Sequence, residues 1–268
     1  MPTTFADLTR LTSRLVNRHA SGAATASSGL PTALIDTVGL AGYPDDHFNG
    51  GTLWILSGAN AGKSRAITDF ADSSDTLTCA SMGANIASGA QWEACDNKFV
   101  TFQDLRQAVN LAIVESGKVL ADPDETLETV ADQWIYDLPT GVYDVEKVEV
   151  VTNIGEATEE KYISTHWEER QGQLLFDQGY QPDGDKTLRI YYRTFAAQLS
   201  GDTDELDEAI DDEAIIYMAA RHAMRLAYKH YGKAGDENIP EWLNEAAEEA
   251  KKHVRRNRGT PMIRVRTA

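Results

Sequence analysis

The sequence predicts an α+β fold in which four helices form a core that carries an antiparallel β-sheet region and a small inserted β-barrel. The first observation is a wide apolar stripe at the helical period in the alanine-rich residues 208–231. The second is a run of short alternating segments with glycine-rich turns in residues 30–98, and the third is a similar pattern in residues 133–195. A helical core with two separate β regions accounts for all three observations.

An N-terminal helix is predicted over residues 5–18, with Thr4 as its cap and Asp7 at the third helical position. A basic ridge at four-residue spacing runs along it: Arg10, Arg14 and Arg18. An isolated helix of this length is only marginally stable, so we expect it to dock on another element.

Ser, Ala and Gly dominate residues 21–29, which are therefore predicted to be a linker. The short strands after it are predicted at 32–38, 52–57, 64–70 and 75–80. This spacing is typical of a small antiparallel barrel or sandwich, which we expect as an insertion between the first and second helices.

The middle helix is predicted over residues 101–121, capped by Thr101 and Asp104 and stopped by Pro123. The β-rich stretch that follows predicts five strands: 133–138, 143–151, 161–166, 173–176 and 187–195. The long alanine-rich helix comes next, and its stripe is wide enough for burial on two sides. Four of its residues are predicted as central core contacts: Ile215, Ala219, Ala223 and Leu226.

A last helix is predicted over residues 241–257, opened by Pro240. Its charges run from acidic to basic, which the helix dipole favours. The predicted organisation is therefore an N-terminal core helix (1–20), a linker (21–29), the barrel insertion (30–98), an α+β core (99–257) and a basic C-terminal arm (258–268).

The net charge of −17 is unevenly distributed. Residues from Lys251 onward carry +7 and no acid, which leaves −24 on the rest. An acidic body argues against general nucleic-acid binding, because it repels phosphates. The acid excess and the scarcity of lysine are typical of a surface adapted to high salt, and equally of an ordinary soluble acidic protein.

Membrane and secretory signals are not expected in this sequence. It has no run of about 18 apolar residues, and polar and charged residues occur throughout residues 1–20, unlike in a signal peptide. Cys79 and Cys95 are too few for a disulfide framework or a four-cysteine zinc site, and we expect both to be core thiols in a cytosolic setting.

The segment Gly58–Ser64 resembles a phosphate-binding loop but is one residue too short between its glycines. The residues after it alternate as a strand, where the phosphate loop needs a helix, so a hairpin is predicted instead. Asp202, Asp204 and Glu213 loosely resemble a calcium loop, although an acidic cap of the following helix is the stronger interpretation.

The six histidines are scattered along the chain, and no serine or cysteine has a recognisable base nearby in sequence. We therefore expect no catalytic residues, no cofactor and no metal, and the protein is predicted not to be an enzyme.

The basic arm is the strongest functional signal. Met262, Ile263 and Val265 alternate with Arg264 and Arg266, as in a segment that adds as a strand to a partner's edge and pairs its arginines with acids. A solubilising tail and a role facing a DNA duplex remain open alternatives.

Several segments together resemble the head-to-tail connector (adaptor, or head-completion) proteins of tailed viruses. They are the buried alanine-rich stretch 214–227 with its following basic-ended helix, the strand pairs in 131–139, 143–148 and 185–192, and the segments 49–54 and 57–67, which are similar to a small barrel of phage structural proteins.

The resemblance implies a structural virion protein that assembles in the host cytoplasm into a homo-oligomeric ring, commonly of twelve copies, with the long helix in its wall. The ring would dock under the portal protein, line the DNA channel and meet the next neck or tail-completion protein, without membrane contact. The residues expected to bind the portal are Arg255, Arg256, Arg258, Met262, Ile263, Arg264, Val265 and Arg266. The barrel would contact the capsid or a fibre protein. The alternative is a tail-completion, fibre-attachment or decoration protein of the neck that uses its barrel for recognition.

Overall fold

Three antiparallel sheets and four α-helices make up the fold. The computed structural model describes residues 3–97, 100–156, 158–208, 210–230 and 241–257. Within these ranges there are fourteen strands, and about 26% of the chain is helical. The chain divides into two units, one formed by Met1–Ser116 with Ala197–Arg256 and the other by Gly117–Ala196.

The first unit contains all four described helices and six strands. The helices are α1 (Phe5–Val16), α2 (Phe102–Ser116), α3 (Asp212–His230) and α4 (Glu241–Asn257). The strands are β1 (His19–Ala23), β2 (Ala33–Ile35), β3 (Thr52–Ile55), β4 (Lys63–Ala71), β5 (Thr76–Cys79) and β6 (Gln91–Cys95). Among the described residues, no helix combines the length and apolarity that crossing a bilayer requires.

The six strands form a half-barrel in the order β1-β6-β3-β4-β5-β2. A single bridge between Ala26 and Ile35 connects the chain after β1 to β2, so the two ends of the sheet curve toward each other. Large apolar side chains fill its interior: Leu34, Leu40, Phe48, Leu53, Ile55, Ile67, Phe70, Leu77 and Trp92. The indole of Trp92 donates a 2.8 Å hydrogen bond to Asp36, which satisfies both buried polar groups.

Strands β3 and β6 are covered on both faces. Leu53 and Ile55 face the interior of the half-barrel, whereas Trp54 joins Ala6 of α1 and Phe102 of α2 in a separate apolar cluster. Successive residues of a strand point to opposite sides, so one strand serves the half-barrel and the helices at once.

The helices pack around α3, which both α1 and α2 contact. The predicted caps of α1 and α2 are confirmed, since the Asp7 N–H donates to the Thr4 hydroxyl and the Asp104 N–H donates to the Thr101 hydroxyl. The buried stripe of α3 is also confirmed, from Ala214 to Ala227.

The second unit contains two sheets that share one apolar core. Its strands are β7 (Lys118–Leu120), β8 (Asp124–Glu128), β9 (Ile135–Asp137), β10 (Val145–Thr152), β11 (Glu160–Ser164), β12 (Trp167–Arg170), β13 (Gln173–Phe176) and β14 (Thr187–Phe195). One sheet has the order β11-β10-β14-β7, with β8 also on β14, and the other has the order β12-β13-β9. Val148, Val150, Leu188 and Ile190 of the first sheet and Leu174 of the second belong to the same cluster.

The predicted helical core is wrong. Fourteen strands in three sheets are present among the described residues, and the predicted small barrel is a half-barrel whose strands β3 and β6 pack against α1 and α2. The five missed strands contribute to the error. Strand β1 lies partly in the Ser/Ala/Gly-rich segment predicted as a linker, β6 is buried on both faces and does not alternate, β7 has only three residues, and β8 and β12 are short and rich in charge.

The element boundaries also differ from the prediction near α2 and in the division of the chain. Gly117 has a φ of +91°, so α2 ends at Ser116, and residues predicted as its last turn form β7. The helices share a unit with the half-barrel, whereas the strands of Gly117–Ala196 form the other unit.

Gly51 lies where the half-barrel leaves no room for a side chain, since a Cβ there would lie 2.1 Å from the Cys95 carbonyl oxygen. We expect Gly51→Ala to lower the free energy of unfolding by about 3 kcal/mol, because the clash is with backbone. As a control, Gly42→Ala, which has φ +84° and open space around its Cβ, should cost about 1 kcal/mol from strain alone. Urea unfolding measures both changes in the free energy of unfolding. Equal losses of stability in the two variants would contradict the close packing around Gly51.

Candidate functional site

Glu93 is a buried charge of the first unit that several side chains contact. It lies on β6 between Trp92 and Ala94, which face the half-barrel, so its side chain faces the helices. Arg14 approaches it with two nitrogens, at 2.6 Å and 2.8 Å, and Arg10 at 3.1 Å. The carboxylate is only 2% exposed, so water cannot hydrate it. The two arginines of α1 stabilise its negative charge instead.

His19 completes this Glu93 cluster at the start of β1. Its Nδ1 lies 2.7 Å from the Glu93 carboxylate. Its Nε2 lies 2.9 Å from the Ser13 hydroxyl, and its ring stacks on Trp54 with the ring centroids 5.8 Å apart. One side chain thereby connects α1, β1, β3 and β6.

The electrostatics of the cluster favour the ionised carboxylate. Burial alone would raise the pKa of Glu93, but the contacts with His19, Arg14 and Arg10 outweigh it and lower the pKa to about 2. Glu93 is therefore charged at neutral pH.

Ser13, His19 and Glu93 stand in the order of a hydrolase triad, but the arrangement is closed. Ser13 is fully buried, and the amide of Asn17 donates to its hydroxyl at 3.2 Å, so a substrate has no path to this oxygen. These contacts hold α1 against the half-barrel.

The segment Gly58–Ser64, which resembles a phosphate-binding loop, forms the turn of a hairpin, as predicted. Gly58 and Gly62 both have positive φ in the turn between β3 and β4, and the Gly62 N–H donates to the Ile55 carbonyl. The Lys63 ammonium is held by the Met82 carbonyl at 2.6 Å. An open groove of about 220 Å³ lies beside this loop, but the two cations that line it, Lys63 and Arg10, are both engaged elsewhere.

A second ion-pair cluster joins three helices. Glu115 of α2 accepts two hydrogen bonds of 2.9 Å from Arg221 of α3 and contacts Lys251 of α4. Arg221, which is 4% exposed, also reaches Glu248 of α4. His222 lies 2.7 Å from Glu115 through Nε2, and this nitrogen carries the proton because a carboxylate can only accept.

Burial raises the pKa of Glu115, but Lys251, Arg221 and His222 together lower it to about 2. Burial also lowers the pKa of His222. This Glu115 cluster is thus a fixed charge arrangement that ties α4 to α2 and α3.

Two acids of the segment that resembles a calcium loop, Asp202 and Asp204, already accept hydrogen bonds from other groups of the chain. Asp202 accepts from the Ser64 N–H at 3.0 Å and from Arg106 at 2.7 Å, and Asp204 accepts from the N–H groups of Ser200 and Gly201. Across the residues that the structure describes, no group of three or more His, Cys, Asp or Glu side chains is placed to hold a metal ion.

Most of the predicted portal-binding residues lie outside the described residues: Arg258, Met262, Ile263, Arg264, Val265 and Arg266. Arg255 and Arg256 lie in the last turn of α4, where only the backbone is described. Of the predicted core residues of α3, Ile215, Ala219 and Ala223 are fully buried and Leu226 is partly buried. The chain itself covers these side chains, so a contact between copies through α3 has to use other positions.

Sequence reasoning missed both ion-pair clusters. The basic ridge of α1 was a usable signal, since Arg10 and Arg14 on a docked helix require an acid, and Glu93 stands within an otherwise apolar segment. For the Glu115 cluster the comparable signal was the basic ridge of Arg221, Arg225 and Lys229 on the long helix, but the acids that pair with Arg221 come from two other helices.

Neither the protein-family models nor the curated proteins compared with this sequence give a match.

We expect Glu93→Gln to destabilise the protein by about 2 kcal/mol, because it removes the counter-charge of Arg10, which is largely buried, and of Arg14, which is half exposed. The exposed Asp69→Asn on β4 is the control and should change stability by less than about 0.5 kcal/mol. Because the folded pKa of Glu93 is depressed, its contribution is fully present above about pH 4.5 and is lost as the pH falls toward 2. Urea unfolding from pH 7 to 3 should therefore show a weaker acid dependence for Glu93→Gln than for the wild type, and parallel curves would contradict this.

Glu115→Gln should loosen α4, because Arg221 and Lys251 lose their shared carboxylate. Amide hydrogen exchange in α4 is expected to become about tenfold faster, which corresponds to about 1.4 kcal/mol. Glu245→Gln, an exposed change on α4 itself, is the control. Unchanged exchange in α4 would show that the Glu115 cluster does not hold the helix.

Proposed function

We propose that this protein is a non-enzymatic structural adaptor of a tailed virus, which forms a ring, docks under the portal and grips it through the basic arm. The observation that carries the proposal is the separation of charge along the chain. A body of −24 is followed by a segment of +7 that begins at Lys251. Lys251 itself is paired with Glu115, so the basic segment starts from a fixed point on the helices.

The ion-pair clusters support a structural role. Their charged groups are used to hold elements together, and the Ser13 hydroxyl that could serve chemistry is buried. A protein whose function is to present surfaces at fixed positions benefits from such contacts.

The acidic body also fits a channel through which DNA passes. Phosphates bind to fixed cations with release of counterions, and a lining of carboxylates avoids that attraction. DNA could then slide without being held.

One observation favours the alternative, a tail-completion or fibre-attachment protein that uses the half-barrel. Leu30 and Val38, on either side of β2, are 56% and 77% exposed. Exposed aliphatic side chains on loops of a rigid sheet are suited to recognition of another protein.

Imaging of portal complexes mixed with the protein tests both functions. We expect the wild type to add ring density beneath the portal, and the variant with Arg258, Arg264 and Arg266 changed to Glu to add none, because the reversed charges repel the acceptor. The half-barrel variant Leu30→Asp/Val38→Asp is the control and should still bind.

Absence of added density with the wild type would contradict the adaptor function. Loss of binding in the half-barrel variant alone would favour the fibre-attachment alternative.

A further inference from the structure

Strand β11 lies at the edge of the five-stranded sheet of the second unit. Among the described residues it pairs with β10 and with no other strand. Four of its five residues are exposed, and the large side chains of Tyr162 and Ile163 are 50% and 55% exposed. In the described part of the chain, a side chain donates only to the Ser164 carbonyl of this strand, from the Trp167 indole at 2.9 Å. An edge strand of this kind presents alternate backbone N–H and C=O groups with which a further strand can pair.

The apolar core of the second unit continues onto this edge. One cross-strand row contains Leu127 of β8, Leu188 of β14, Val150 of β10 and Tyr162 of β11. Paired residues of neighbouring strands point to the same side of a sheet, so Tyr162 lies on the face that carries the core. Leu188 and Val150 are buried, whereas Tyr162 at the end of the row is half exposed. The core row therefore ends on a large aromatic side chain that one more strand would cover.

The opposite edge of the same sheet is protected by charge. It is formed by β7 and β8, which both lie along β14, and β8 carries Asp124, Glu125 and Glu128. Charged side chains are a common means by which a sheet edge avoids pairing with another chain. Strand β11 carries one acid and one base, Glu160 and Lys161, so it has no net charge. Of the two edges, β11 is the one to which another strand can be added.

We propose that β11 pairs with β11 of a second copy of this chain, antiparallel and about a two-fold axis at Tyr162. Such a pairing has to centre on a residue, because neighbouring residues of a strand direct their backbone groups to opposite edges. With Tyr162 at the centre, the core row continues through the partner's Tyr162 into the second copy. On the same face Glu160 lies opposite the partner's Ser164. On the other face Lys161 lies opposite the partner's Ile163, so no like charges face each other.

The neighbouring registers fit less well. A pair centred on Lys161 would place two ammonium groups directly opposite each other, which is destabilising. A pair centred on Ile163 would place Tyr162 opposite the partner's Ser164, which would interrupt the apolar row at the contact. The register with Tyr162 on the axis continues the core and avoids like charges at once.

A second copy suits this edge because a two-fold contact requires a surface that is complementary to itself, as β11 is in this register. The inference does not rest on the adaptor function, since it involves neither the basic arm nor a portal. Copies in a ring that docks with one face are related by rotation alone, so their contacts are head-to-tail. The β11 pair is therefore a property of the free chain, and it has to open before such a ring forms.

Sedimentation equilibrium of the full chain, from micromolar to submillimolar concentrations, tests the pairing. We expect the wild type to dimerise reversibly. Tyr162→Glu should raise the dissociation constant of the dimer at least about tenfold, because two carboxylates then meet at the axis. Leu120→Glu is the matched control, since Leu120 is 51% exposed at the opposite edge of the sheet and its change should leave the dimer intact. A wild type that stays monomeric, or a dimer that Tyr162→Glu does not weaken, would overturn the inference.

Cysteine cross-linking tests the register without adding a charge to the sheet. Tyr162→Cys should form an intermolecular disulfide on mild oxidation at least about tenfold faster than Ile163→Cys, because only residues directly opposite each other lie within disulfide range. The native Cys79 and Cys95 do not interfere, since both are buried and burial raises the pKa of each thiol to about 11. Equal rates, or a faster reaction of Ile163→Cys, would overturn the pairing about Tyr162. Neither experiment involves a portal, so its failure is distinguishable from a failure of the adaptor function.

Discussion

A carboxylate on a strand that is covered on both faces needs a counter-charge from another element, and this requirement organises the first unit. Glu93 cannot be hydrated where β6 places it, and α1 brings two arginines to it. The contact determines which face of α1 meets the half-barrel. With α1 in place, Trp54 is enclosed against Ala6 and Phe102, and β3 becomes a wall shared by two apolar clusters.

The Glu115 cluster follows the same principle among the helices. One carboxylate holds cations from α3 and α4, so the last described helix is tied to the helices that precede it. In both clusters the depressed carboxylate pKa values belong to groups that hold the fold together, and neither cluster exposes a reactive group to solvent. Perturbed carboxylates are frequent in active sites, but here their partners are structural.

The charged groups that remain unpaired are the ones available for function. The body carries an excess of acid. The basic arm carries the opposite charge on a segment that alternates with aliphatic residues. In the proposed function, the arginines of this arm pair with acids of the portal protein.

The sequence by itself determined the elements whose signals are local. The four helices, the caps at Thr4 and Thr101, the buried stripe of α3 and the hairpin at Gly58–Gly62 follow from periodicity and turn residues. Tertiary structure decided what surrounds them. His19–Ala23 is a strand only because β6 pairs with it. Gln91–Cys95 shows no alternation of polar and apolar residues, because the strand is buried on both faces. The predicted helical core failed for that reason, and the Ser13–His19–Glu93 and Glu115 clusters went unseen because their residues meet only after the chain has folded.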